Sequence, residues 1–139
     1  MSSTIIDLEN VGKTYEMGDT TVEALKGSNV EIGEGEFVAV MGPSGSGKST
    51  LMNMIGALDT PSSGEVFVGE EAISGLEEDE LALLRSEKIG FIFQQFNLIP
   101  SMNATENVAL PMLFRGVSKK ERTERAEEIL TRVGLGERL

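Results

Sequence analysis

Residues 37–49 read Phe37-Val38-Ala39-Val40-Met41-Gly42-Pro43-Ser44-Gly45-Ser46-Gly47-Lys48-Ser49. The first five are a continuous apolar run, which predicts a parallel strand covered on both faces. The run passes straight into Gly42–Ser49, which has the spacing G-x-x-x-x-G-K-[ST] of the Walker A P-loop. Each position suits a phosphate. Glycines let the backbone turn tightly and bring its N–H groups close to phosphate oxygens. A following helix would aim its positive N-terminal end at the same anion. Lys48 supplies a point charge for β- and γ-phosphates, and the Ser49 hydroxyl is the expected Mg²⁺ ligand. A glycine-rich surface turn can match the pattern by chance. The strand before it and the amphipathic stretch after it favour nucleoside triphosphate binding.

Outward from this stretch, the chain alternates short strand and helix signals. Ile5–Leu8 and Val30–Ile32 predict short, half-exposed strands, and Gly33-Glu34-Gly35 a turn. After the P-loop a helix is expected with Leu51, Ile55 and Leu58 on one face. Asp59–Gly64 predicts a turn and Glu65–Val68 a strand. Residues 70–88 are acidic and expected to be exposed, with a short helix near Glu78–Ser86 and a solvated face at Glu77-Glu78-Asp79-Glu80. Ile89–Phe93 predicts another strand. Asn103 and Glu106 resemble a capping box. The clearest helix has Ser118 and Glu121 as a capping box, Ala126, Ile129, Leu130 and Val133 on one face, and Gly134 as its stop. Glu121–Arg125 and Glu128–Arg132 stand in the favourable i, i+4 order.

Composition narrows the function classes. The 139 residues fit one domain and carry 12 Lys+Arg against 23 Asp+Glu, a net charge of −11. Duplex nucleic acid is not an expected partner, because binding phosphate backbones needs a basic face. Cysteine and histidine are absent, which excludes disulfides, thiol nucleophiles, Ser-His-Asp triads and most zinc sites. Residues 1–7 have neither the basic nor the apolar region of a secretory signal. Ile89–Thr105 is uncharged but holds Gln94, Gln95, Asn97 and Pro100, too polar to span a bilayer. A soluble, cytoplasmic chain is the expectation. None of Asp7, Asp19, Asp59 and Asp79 is followed three residues later by Gly, so the D-x-x-G element of GTPases is missing.

The segment Gly35–Leu51 resembles the Walker A region of ABC transporter ATPases. Gly56-Ala57-Leu58-Asp59-Thr60-Pro61-Ser62-Ser63-Gly64-Glu65-Val66 is similar to the family's next stretch. Ile89–Pro100 resembles its Q-loop, and Glu106-Asn107-Val108 the E-N-V after it. The resemblance covers nearly all 139 residues and falls in the lipoprotein-releasing and macrolide-export branch. It implies an α/β P-loop NTPase fold, with a RecA-like core, an antiparallel β subdomain and the start of a helical subdomain, an incomplete ABC ATPase domain over 1–139.

The resemblance also implies roles. Tyr15 matches the aromatic that stacks on adenine, although a tyrosine packed at a strand end is the ordinary reading of that residue alone. Gly42, Pro43, Ser44, Gly45, Ser46, Gly47, Lys48, Ser49 and Thr50 match the phosphate-binding segment. Gln94, rather than Gln95, matches the glutamine whose amide oxygen reaches Mg²⁺ or the attacking water. Lys48 and Gln94 are then the catalytic candidates, Ser49 and Gln94 the metal candidates, and ATP with Mg²⁺ the ligands. Phe96, Leu98, Ile99 and Met102 could touch transmembrane permease subunits or could be core residues.

The family pattern is incomplete here. The L-S-G-G-Q signature, a Walker B strand ending in Asp-Glu and a switch histidine are absent. Even Asp59, preceded by Ile55-Gly56-Ala57-Leu58, is followed by Thr60. The expectation is an N-terminal portion of a longer energy-coupling ATPase. It would pair with a second ATP-binding subunit and sit on the inner membrane face through the permease. Two alternatives remain open: a non-catalytic ATP-binding module regulating a full-length partner, and a soluble ABC-type ATPase.

Overall fold

The computed structural model describes residues 3–138. They divide into two compact units, one ending at Phe91 and one beginning at Ile92.

The first unit is built on a hairpin of β1 (Thr4–Met17) and β2 (Thr20–Gly33). The short strands expected at Ile5–Leu8 and Val30–Ile32 are parts of these, each 14 residues long. Met17 pairs with Thr20 across a two-residue loop in which Gly18 takes φ +61°. A Gly-Asp loop is itself a hairpin signal. It was hidden because residues 16–23 are all exposed and carry no inside–outside alternation. β3 (Ser63–Val68) and β4 (Glu71–Ala72) complete an antiparallel sheet of order β2-β1-β3-β4. The expected strand at Glu65–Val68 therefore forms, with two further residues before it. Gly64, at φ +76°, passes so close to the Asn10 carbonyl that a Cβ there would overlap it.

Leu8 lies opposite Val30 on β2 and Val66 on β3. Leu8, Val11, Leu25, Val66 and Val68 from the sheet join Met54, Ala57, Ile73, Leu81 and Leu84 in one buried cluster. These last residues come from α1 (Lys48–Ile55), α2 (Glu78–Lys88) and the turns beside them. The expected face of α1 is corrected: Met54 is its fully buried residue, Leu51 and Ile55 lie at the cluster margin, and Leu58 is exposed. The helix ends before Leu58 can join it. Ala57 turns left-handed at φ +48°, its N–H reaching Met54 O at 3.1 Å while the Leu58 N–H reaches Asn53 O at 2.9 Å. This is a Schellman closure, which reverses the chain within two residues.

The expectation of an exposed 70–88 segment holds for Glu77–Glu80 but not for its apolar residues. Ile73, Leu81 and Leu84 are buried, and Arg85 Nη1 donates to the carbonyl of Ala57 at 2.7 Å. Three apolar residues at i, i+8 and i+11 among so many acids gave too little periodic signal to reveal that buried face.

The strand expected at Phe37–Met41 is not formed. These residues lie outside the sheet, with Phe37 fully exposed and Met41 at 88%. Ile89–Phe93 also lies outside the sheet. A parallel strand is held by ladders to neighbours on both sides, and an apolar run alone does not supply them. Among the described residues the sheet is wholly antiparallel.

The second unit holds α3 (Ala104–Phe114), α4 (Lys119–Arg132) and a short 3₁₀ turn at Gly136–Arg138. The capping box at α3 is complete: Asn103 Oδ1 accepts from the Glu106 N–H at 2.8 Å and Glu106 Oε2 from the Asn103 N–H at 2.9 Å. At α4, Ser118 Oγ accepts from the Glu121 N–H at 3.3 Å. Ala126 and Leu130 are buried as expected, whereas Ile129 and Val133 are exposed. Gly134, at φ +81°, closes α4 with bonds to Thr131 O and, through Leu135, to Leu130 O. The i, i+4 ion pair among the described residues of α4 is Lys120–Glu124, at 3.9 Å, not the two expected from sequence.

The exposed run at Phe37–Met41 generates a prediction. At micromolar concentration the chain is expected to self-associate, since unladdered apolar backbone of strand length recruits other chains. The double substitution Phe37→Lys/Met41→Lys should lower light scattering severalfold while leaving the far-ultraviolet circular dichroism unchanged. A cooperative, monomeric thermal transition of the unsubstituted chain would count against it.

Candidate nucleotide site

The P-loop segment Gly42–Lys48 lies between the apolar run and α1, and its shape follows from its glycines. Gly45 and Gly47 take φ +79° and +85°, a region open to glycine and strained for other residues. Gly47 is also the N-cap of α1, and a Cβ on it would sit 2.5 Å from the Ala24 carbonyl of β2. The loop is therefore pressed against the sheet at one residue, and α1 departs from that point.

The loop curls round its lysine. Lys48 Nζ donates to the Pro43 carbonyl at 2.6 Å and lies 3.4 Å from Ser46 Oγ. A cavity of about 330 Å³ is lined here by Gly42, Pro43, Ser46, Gly47, Lys48 and Leu51, with Leu25, Ser28, Val40 and Met41 around it. A lysine ammonium in a concave loop at a helix N-terminus, with Gly42 and Gly47 in its wall, fits an anion of phosphate type. Ser49 is exposed, and Thr50 is half-buried on the same first turn. A hydroxyl oxygen is the hard donor that Mg²⁺ prefers.

Tyr15 is half-buried near the end of β1. Its hydroxyl donates to Asp59 Oδ2 at 3.0 Å. Lys13 Nζ donates to Asp59 Oδ1 at 2.6 Å and to Thr60 O at 2.7 Å, and lies 5.1 Å from the Tyr15 ring centroid. Partial burial alone would raise the Asp59 carboxyl. Hydrogen bonds from Lys13, Tyr15 and the Thr60 N–H outweigh it and hold the group below the ordinary aspartate value. Sequence reasoning missed Lys13 and Asp59. The spacing Lys13-x-Tyr15 on a strand places both residues on one face, and that was the available signal.

Gln94 belongs to the other unit, in a bend, and is exposed, as is Gln95. The segment after it is clasped by Asn107. The Asn107 amide donates to Met102 O and Asn103 O, each at 3.0 Å, and its Oδ1 accepts from the Ile99 N–H at 2.8 Å. The Glu106-Asn107 pair thus has a local purpose: one caps α3 and the other holds residues 99–103 to its first turn. Phe96 is 90% exposed and Leu98 is also exposed, so neither is a core residue of the described structure, whereas Ile99 and Met102 are half-buried. Among the described residues no cluster of acidic side chains suits a metal ion.

The family profile described as ABC transporter matches residues 25–139. The chain belongs to the ABC transporter family. It is 51% identical over 135 residues to the ABC transporter ATP-binding protein YknY of Bacillus subtilis, covering 97% of this chain and 59% of that protein. It is 53% identical over 137 residues to the ABC transporter ATP-binding protein MJ0796 of Methanocaldococcus jannaschii, covering 96% of this chain and 58% of the other. The macrolide export ATP-binding/permease protein MacB of Wolinella succinogenes is 50% identical over all 139 residues, which are 22% of its length. The chain thus spans less than two thirds of each relative, and the resemblance to the macrolide-export branch holds. A dimeric structure of the MJ0796 ATP-binding cassette, in a post-hydrolysis state bound to ADP and Pi, superposes with TM-score 0.81. That match has 53% identity and covers 91% of this chain and 56% of that one. The fold is that of an incomplete ABC ATPase domain, with its antiparallel subdomain as expected.

Two predictions come from these contacts. Gly47→Ala should destabilise the first unit by more than Gly45→Ala. Both carry the left-handed cost of about 1–2 kcal/mol, but only the first drives a Cβ against backbone; urea unfolding of the two variants measures the difference. The second concerns pH. Because the folded Asp59 carboxyl lies below its unfolded value, its stabilisation is present above the ordinary aspartate range and is lost as pH falls through the folded value. Asp59→Asn should therefore be less stable than the unsubstituted chain at pH 7, with the gap shrinking on acidification.

Proposed function

We propose that this chain is the nucleotide-binding portion of an energy-coupling ABC transporter ATPase. The observation that carries the reading is the lysine-centred glycine loop at the start of α1, in a chain of this family. ATP would lie with its phosphates on Gly42, Pro43, Ser44, Gly45, Ser46, Gly47, Lys48, Ser49 and Thr50. Its base would lie on the Tyr15 ring, whose flat face suits a flat base. Ser49 would hold Mg²⁺ through its hydroxyl, with Gln94 the second metal candidate from the resemblance; the ion when bound neutralises phosphate charge. Lys48 offers its ammonium to the same oxygens in place of the Pro43 carbonyl, and the Gln94 amide can orient a water.

Hydrolysis needs more than these residues. Phosphoryl transfer to water depends on groups that position the water and spread charge. The L-S-G-G-Q and Walker B elements are not among the 139 residues. The chain alone is therefore proposed to bind ATP weakly and to turn it over negligibly. In the whole protein, ATP binding would close a pair of ATP-binding subunits and hydrolysis would reopen it, driving transmembrane permease subunits. The exposed Phe96 and Leu98 offer an apolar contact for such a partner. Among the described residues no helix is long and apolar enough to cross a membrane; attachment to the cytoplasmic face through the permease is part of the same proposal.

The test is a calorimetric titration of the chain with Mg²⁺-ATP. Measurable binding is expected, weakened at least tenfold by Lys48→Ala, with phosphate release no faster than that variant's. Equal affinity of the two proteins would overturn the assignment of the loop, and turnover well above the Lys48→Ala background would overturn the division between binding and hydrolysis.

A further inference from the structure

We propose that Asp59 is a positioning residue for the nucleotide base, fixing the Tyr15 ring from the C-terminal side of the P-loop helix; the inference rests on the reading of Tyr15 as the base platform. Two contacts converge on the one carboxylate, and a third fixes the backbone that leads to it. Its Oδ2 accepts the Tyr15 hydroxyl at 3.0 Å. Its Oδ1 accepts the Lys13 ammonium at 2.6 Å, and that ammonium lies 5.1 Å from the ring centroid. The backbone that carries it leaves α1 through the left-handed Ala57, whose carbonyl is held by Arg85 at 2.7 Å.

A tyrosine that receives a base must stop rotating, and that loss of freedom weakens binding unless the ring is already fixed. Here the hydroxyl end is tied down and a cation sits by the ring, so the ring is ordered before a base arrives. The tie also has a direction. Asp59 stands four residues beyond the last residue of α1, and Lys48, the first residue of that helix, lies in the phosphate loop. The position of the base platform is thereby set relative to the same helix that sets the phosphates. Asp59 touches neither base nor phosphate in this account; it acts through Tyr15.

The alternative is a tie that merely stabilises the sheet, and it predicts a different outcome. The chain has one Tyr and no Trp, so tyrosine emission reports this residue directly. Affinities of the full chain are measured for Mg²⁺-ATP and for inorganic tripolyphosphate, which has no base. Asp59→Asn is expected to weaken ATP about fivefold and to leave tripolyphosphate within about twofold. Tyr15→Phe, which keeps the ring and removes the hydroxyl, should weaken ATP similarly. Asp59→Ala, which leaves the phenol no acceptor at this position, should weaken ATP at least as much, and Asp59→Ala/Tyr15→Phe should be no weaker than Asp59→Ala alone, since the Tyr15–Asp59 bond is already gone. Tyr15 emission should rise in Asp59→Asn, as the phenol loses a quenching carboxylate.

Unchanged ATP affinity in Asp59→Asn would overturn the inference, and so would an equal loss for ATP and tripolyphosphate. The ATP-to-tripolyphosphate ratio keeps the test valid if the variant is partly unfolded, because unfolding lowers both affinities together. Failure of the underlying reading shows itself separately. Tyr15→Ala binding ATP as tightly as the unsubstituted chain, with Lys48→Ala still impaired, would remove Tyr15 as the platform. No binding of either ligand by the unsubstituted chain would overturn the nucleotide site as a whole.

Discussion

The backbone of Gly47 passes so close to the Ala24 carbonyl that no side chain fits between them. Much of the first unit follows from this approach. It presses the phosphate loop onto β2 and fixes where α1 begins. A helix of eight residues from that point is about 12 Å long. It brings Met54 and then Ala57 into the cluster formed by Leu8, Val11, Leu25, Val66 and Val68. Leu25, next to the approached carbonyl, is itself part of that cluster, so the loop and the core meet at adjacent residues. Burial of apolar surface thus anchors the end of the loop at Gly47, while the bonds of Lys48 and the Ser46 N–H to the Pro43 carbonyl shape the loop itself.

The end of α1 is as constrained as its start. Ala57 adopts a conformation that glycine usually fills, with its side chain fully buried. The cost of the left-handed backbone is offset by the Schellman bonds and by the Arg85 contact to its carbonyl. The result is that Asp59 arrives beside β1 with Lys13 and Tyr15 facing it. Two left-handed corners, Gly47 and Ala57, therefore bracket the helix that joins the glycine loop to the residues beside Tyr15.

The parts legible in the sequence were those with local causes. The P-loop, the Asn103–Glu106 box, the Ser118 cap and the Gly134 stop each depend on residues within a few positions of one another. The longer β-hairpin was not legible, because its outer halves are exposed and carry no period-two pattern. The Phe37–Met41 run misled for the opposite reason: its composition states a preference for a covered strand, but a ladder needs partners that no local pattern supplies. Tyr15 was found only by family resemblance, and Asp59 was weighed as a Walker B candidate. Its actual contacts join residues 44 and 46 positions apart, a separation invisible to any window of sequence.

The division of the chain bears on how work is shared within the proposed site. Tyr15 and the whole P-loop lie in the unit ending at Phe91, while Gln94 lies in the unit beginning at Ile92. In the proposed site, base and triphosphate would therefore both lie on one compact body, through β1, β2 and α1. Gln94 lies in the other unit, exposed in a bend. It precedes residues 99–103, which Asn107 clasps to the first turn of α3. The exposed Phe96 and Leu98 lie between Gln94 and that clasp, so this stretch presents its apolar side chains away from the core of either unit.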